Sequence, residues 1–87
     1  MHTPTVPELL AWLLAQRLRG IRKFIYYMAP MDLKPVRIPV LSPVKTYKNP
    51  KRFAFSVKGS GMRFRIDEKH LDRIYVPDAD TQKEVSL

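Results

Sequence analysis

The spacing of apolar and polar residues changes rhythm twice along this chain. From Leu9 to Met28 the apolar side chains recur every three or four residues. Leu10, Leu14, Leu18, Ile21, Ile25 and Met28 form one stripe of a helical projection, flanked by Leu9, Leu13 and Phe24. Thr5-Val-Pro-Glu8 reads as a capping box just ahead of the stripe, with Pro7 tolerated in the first turn. A helix is therefore predicted from there to Pro30, about 22 residues and roughly 33 Å long, with Gly20 as an interior weak point. Arg19, Arg22 and Lys23 lie opposite the stripe, Arg17 falls inside the apolar arc, and Trp12 falls near the basic face.

The helical rhythm stops at Pro30. Pro30, Pro35, Pro39, Pro43 and Pro50 each fix φ, remove a backbone donor and push the preceding residue toward extended conformations. Pro-Val recurs at residues 35, 39 and 43, so residues 30–50 are expected to run as an extended or polyproline-like arm. Val36, Ile38, Val40, Leu41 and Val44 make that arm too sticky for a free linker. Burial must come from a partner or from the protein's own helix and sheet.

A period of two follows. Phe53, Phe55 and Val57 alternate with Ala54, Ser56 and Lys58; Gly59-Ser60-Gly61 turns the chain; Met62, Phe64 and Ile66 then alternate with Arg63 and Arg65. This predicts a β-hairpin with one apolar and one basic face. Asp67 to Arg73 reads as a capped short helical turn, and Ile74-Tyr75-Val76 as a short extended piece stopped by Pro77. The expected fold is thus α+β and non-compact. It comprises an amphipathic helix (1–29), a proline-rich arm (30–50), a hairpin plus helical turn (51–76) and a polar tail (77–87). A chain of 87 residues with no cysteine has no disulfide to offset a small core, so it is expected to take rigidity from a larger assembly.

Charge sharpens this picture. The chain carries 16 Lys and Arg against 8 Asp and Glu, a formal +8. Residues 1–65 hold 13 of the cations against Glu8 and Asp32, a balance of +11, while residues 66–87 have a balance of −3. Such asymmetry points to a polyanion for the first part. The candidate phosphate-binding residues are Arg17, Arg19, Arg22 and Lys23 on the helix and Lys45 and Lys48 on the arm. On and beside the hairpin they are Lys51, Arg52, Lys58, Arg63 and Arg65.

Catalytic chemistry finds no foothold. His2 and His70 have no metal-ligand spacing, Gly59-Ser60-Gly61 lacks the lysine and following helix of a phosphate-binding loop, and nothing arranges a triad. The sequence calls for no cofactor, metal or small-molecule substrate. In composition the chain resembles small mitochondrial ribosomal and respiratory-complex subunits. The first expectation is a non-catalytic structural subunit of a ribonucleoprotein, a mitochondrial ribosomal protein holding rRNA and neighbouring ribosomal proteins. The alternative is an accessory subunit of a mitochondrial inner-membrane respiratory or ATP synthase complex, its helix against anionic lipid and other subunits. The apolar run from Leu9 to Gln16 is far short of the ~20 residues needed to span a bilayer.

Overall fold

The computed structural model describes residues 1–78. Helix α1 runs from Val6 to Leu18, with Thr5 as its N-cap. The Glu8 amide donates to Thr5 Oγ1 (3.3 Å) and the Thr5 amide to Glu8 Oε1 (3.2 Å), completing the capping box the sequence announces. The helix stops well before Pro30. Gly20 adopts φ +71°, its N–H donates to the Arg17 carbonyl, and the Ile21 N–H reaches back to the Gln16 carbonyl, both at 3.0 Å. These two bonds make a Schellman motif, so Gly20 terminates the helix instead of weakening its interior.

The early stop changes which face of α1 is buried. Val6, Leu9, Leu13 and Gln16 point inward, with Leu10 and Trp12 partly covered. Only the middle of the expected stripe faces outward: Leu14 is 53 % exposed, Leu18 78 % and Ile21 43 %, whereas Leu10 packs against the core and Ile25 is buried in it. Arg17 is no anomaly within that arc, because it lies beside Leu14 and Leu18 on the exposed side. Trp12 packs edge-on against the Phe24 ring at 5.1 Å.

Beyond Gly20, the aromatic and β-branched run Phe24–Tyr27 forms strand β1. Its composition suits a pleated surface better than a helix once partners are at hand. Strand β2 (Val36–Pro39) pairs antiparallel with β1, Ile25 opposite Ile38 and Tyr27 opposite Val36. The arm then crosses to the other sheet. Val40 donates to the Lys23 carbonyl on one side and bridges Val57 on the other, and β3 (Lys45–Thr46) pairs with Ala54 and Phe53. Residues 36–46 thus behave as one bent strand shared by two sheets.

The prolines fit this role. Pro39 sits opposite Phe24, whose own N–H and C=O are taken by Gln16, so its missing donor leaves no gap in the ladder. At Pro43 the strand bulges, and the Ser42 hydroxyl accepts the Ser56 N–H at 2.8 Å where a backbone carbonyl would otherwise serve. The extended arm is therefore clamped by the protein's own sheets and does not wait for a foreign groove.

The hairpin forms as its period predicts. Strands β4 (Phe53–Gly59) and β5 (Met62–Asp67) pair from Ala54–Asp67 to Gly59–Met62. Ser60 (φ 53°) and Gly61 (φ 75°) supply the two positive-φ positions of a type I′ turn. Asp67 caps a six-residue 3-10 helix, Glu68–Arg73, which leads into β6 (Ile74–Tyr75) beside β1. The sheets are therefore β2-β1-β6 and β3-β4-β5. His2 pairs with Val76 through two backbone bonds, bringing the first residues alongside β6. The polar tail expected from residue 77 lies outside the described residues from position 79 onward.

One apolar cluster joins every layer: Leu9 and Leu13 from α1, Ile25 from β1, Phe53 and Val57 from β4, Ile66 from β5, Ile74 from β6, and Val76 just after it. At roughly 2 kcal/mol per fully buried large apolar side chain, this cluster is the main force holding the sheets together. The radius of gyration is 12.6 Å, against about 12 Å expected for a folded chain of this length and near 30 Å for an unfolded one. The molecule is a compact α+β globule, which corrects the non-compact expectation. That expectation treated residues 30–50 as apolar surface lost to the core, whereas Ile38 and Val40 belong to it.

Candidate polyanion-binding surface

The alternation of β4 and β5 sorts their side chains onto two faces. Phe55 opposite Ile66 and Val57 opposite Phe64 face the core side. Ala54, Ser56 and Lys58 face away, opposite Asp67, Arg65 and Arg63, and Lys45 of β3 lies beside Ala54. Lys45, Lys58, Arg63 and Arg65 are all exposed. One sheet face therefore gathers four of the eleven expected site residues. Lys58 and Arg63 stand directly across from each other, a like-charge pair that costs about 0.2–1 kcal/mol. Neither of these two has an ion-pair partner among the described residues. An anion bridging the pair would relieve that repulsion.

Asp67 closes the far end of this face. Burial works to raise its carboxyl, but the Lys69 amide, His70 and Arg65 together hold it below its ordinary value of 3.8. It thus stays ionised near neutrality, marking the limit of the positive field.

The remaining expected residues form two other groups. Arg17 and Lys23 line both parts of a shallow groove between α1 and residues 40–46; Arg22 joins them where the groove widens to about 640 Å³ beside Leu41 and Pro43. Arg19, the C-cap of α1, is exposed at the helix end. Lys48, Lys51 and Arg52 belong to the loop between β3 and β4 and are exposed. Arg52 is already engaged: its guanidinium lies 4.7 Å from the Tyr47 ring centre and its Nε 3.4 Å from Glu68. It therefore has less capacity for phosphate than its neighbours.

Two contributors escaped the sequence reading. Arg37 of β2 stacks 3.7 Å from the Phe24 ring centre while remaining exposed. Assigning residues 30–50 to an arm hid it, and the Val-Arg-Ile alternation around it was the available signal. Tyr47, set among Lys45, Lys48 and Arg52, offers an aromatic face with the Lys45 ammonium at 5.3 Å. No protein-family model, curated protein or solved structure matches this chain.

Proposed function

We propose that the protein is a non-catalytic RNA-binding subunit of a ribonucleoprotein, with a mitochondrial ribosome as the assembly that its composition resembles. The supporting observation is the sheet face where Lys58 and Arg63 oppose each other beside Arg65 and Lys45, with Asp67 confined to one end. Ladder spacing sets neighbouring cations about 5 Å apart across strands, closer than the step between successive phosphates, so two side chains can share one phosphate. Binding of this kind rests on counterion release and on backbone shape, not on base identity. We read the connectivity, a helix followed by β1 through β6 with one bent strand shared by two sheets, as that of an SH3-like small barrel. That fold hosts unrelated functions, and it is the basic face that supports RNA binding.

The test is a salt titration of the purified protein against a labelled RNA hairpin and its single-stranded counterpart. Arg63→Glu/Arg65→Glu should lower affinity at least tenfold and reduce the magnitude of the log–log salt slope by about two. Lys34→Glu, a charge reversal in the loop between β1 and β2, should change affinity less than about threefold. Affinity that ignores salt, or that survives the double reversal, would overturn the proposal.

A further inference from the structure

We propose that the C-terminal half of α1 and the turn after it dock the protein onto an anionic membrane surface. This goes beyond the RNA reading, because it uses residues that are not on the β3-β4-β5 face.

Leu14 and Leu18 lie on one side of α1, Ile21 follows in the turn after it, and the fold leaves all three exposed. Buried core already satisfies the opposite side through Leu9, Leu13 and Gln16. A soluble surface has no need of three large apolar side chains in a row, with Leu18 78 % exposed at the very end of the helix. Their neighbours are cations: Arg17 and Arg22 are exposed and Lys23 is half-buried, and no acid occurs between Leu9 and Met31.

This pairing fits lipid better than protein. Leucines at the helix tip reach the acyl boundary about 5–10 Å below the headgroups, while longer arginine side chains extend back to the phosphates. A second copy of the chain would bring the same cations against themselves. An acidic protein would have to place matching carboxylates around an apolar pocket, whereas a bilayer containing anionic lipid offers both layers everywhere. The groove between α1 and Pro43–Val44, with Arg17 and Lys23 at its edge, gives a headgroup a recess beside the inserted residues.

Co-sedimentation with vesicles tests this, comparing pure phosphatidylcholine with a mixture containing about a third phosphatidylglycerol. The protein should bind the mixture at least tenfold more tightly, with each cation near the surface contributing about fivefold. Leu18→Asp/Ile21→Asp should remove vesicle binding while circular dichroism stays unchanged, because both side chains lie outside the core, and RNA affinity should change less than about threefold, because neither lies on the β3-β4-β5 face. Leu18→Ser/Ile21→Ser, which adds no charge, should also lose at least tenfold. Equal binding to neutral and anionic vesicles, or anionic binding untouched by either double variant, overturns the proposal. So does concentration-dependent dimerisation of the wild type that the same variants abolish, since the stripe would then be an interface between copies.

Discussion

The side-chain amide of Gln16 closes a pair of hydrogen bonds on the backbone of Phe24: Oε1 accepts its N–H at 3.0 Å and Nε2 donates to its carbonyl at 3.2 Å. A buried helix residue thus takes the place of one residue of a neighbouring strand on the side of β1 that β6 occupies further along. The same contact frees the position opposite Pro39 from any demand for a donor. Helix end, first strand and proline-bearing strand are tied together there.

Gln16→Leu keeps the size and removes both bonds, leaving Phe24 with an unmet donor and acceptor. We expect a loss of about 1–3 kcal/mol in urea unfolding, with the transition still a single step. A change below about 0.5 kcal/mol would show that the amide is not what holds β1 to the helix.

Gly20 gives a cleaner backbone test. A Cβ there meets nothing within 4 Å, so Gly20→Ala adds no clash and probes only the positive φ. The variant should lose about 1 kcal/mol, and an unchanged melt would mean that the Schellman turn has a strain-free alternative.

These two residues also show why part of the fold was legible in the sequence and part was not. Local signals were enough for the capping box at Thr5–Glu8, for the alternation from Phe53 to Ile66 and for the capped turn at Asp67. Each is settled by residues within a few positions of one another. Gly20 is ambiguous by itself, and the segment after it reads as helix until a strand partner 9 to 15 residues away is known. That partner was concealed by the prolines, whose tolerance in β2 depends on what Gln16 does elsewhere. The basic hairpin face could be read from alternation alone. The exposed stripe of α1 was visible as a stripe, but its direction was not, because inward and outward faces of this helix are both leucine-rich.

The opposition of Lys58 and Arg63 links stability to binding. Replacing Arg63 with Gln removes the repulsion, so the free protein should become about 0.2–1 kcal/mol more stable in low salt while its RNA affinity falls. The gain should shrink as salt screens the pair. Denaturant curves at two salt concentrations would show it, and a loss of stability at low salt would contradict the like-charge account.

Acidity should govern the attachment of the first residues. The His2 ring lies 2.9 Å from a carboxylate oxygen of Glu8 and 2.9 Å from one of Asp78. Hydrogen bonds that the ring donates to Glu8 and then to Asp78 raise its pKa above 6.5, and the His2 ring is the first cause that lowers Glu8 below 4.5 and Asp78 below 3.8. The histidine's contribution is complete below 6.5 and lost as pH rises through its raised value. The carboxylates' contribution is present above their ordinary values and lost as pH falls through the lowered ones. The His2–Val76 backbone pairing should therefore be tightest from about pH 4.5 to 6.5. Amide exchange at His2 and Val76, corrected for intrinsic rates, should slow most in that window; protection that keeps rising to pH 8 would rule the mechanism out.

Strand β5 has β4 on one side and, among the described residues, no partner on the other. A bare sheet margin is a template on which identical molecules can stack, strand upon strand, into an insoluble ribbon. Arg63 and Arg65 put positive charge on that margin, so two molecules approaching edge to edge repel before their backbones can join. The two arginines proposed to meet phosphate would on this account also oppose edge-to-edge stacking, and a bound polyanion would have to cover the margin that it neutralises.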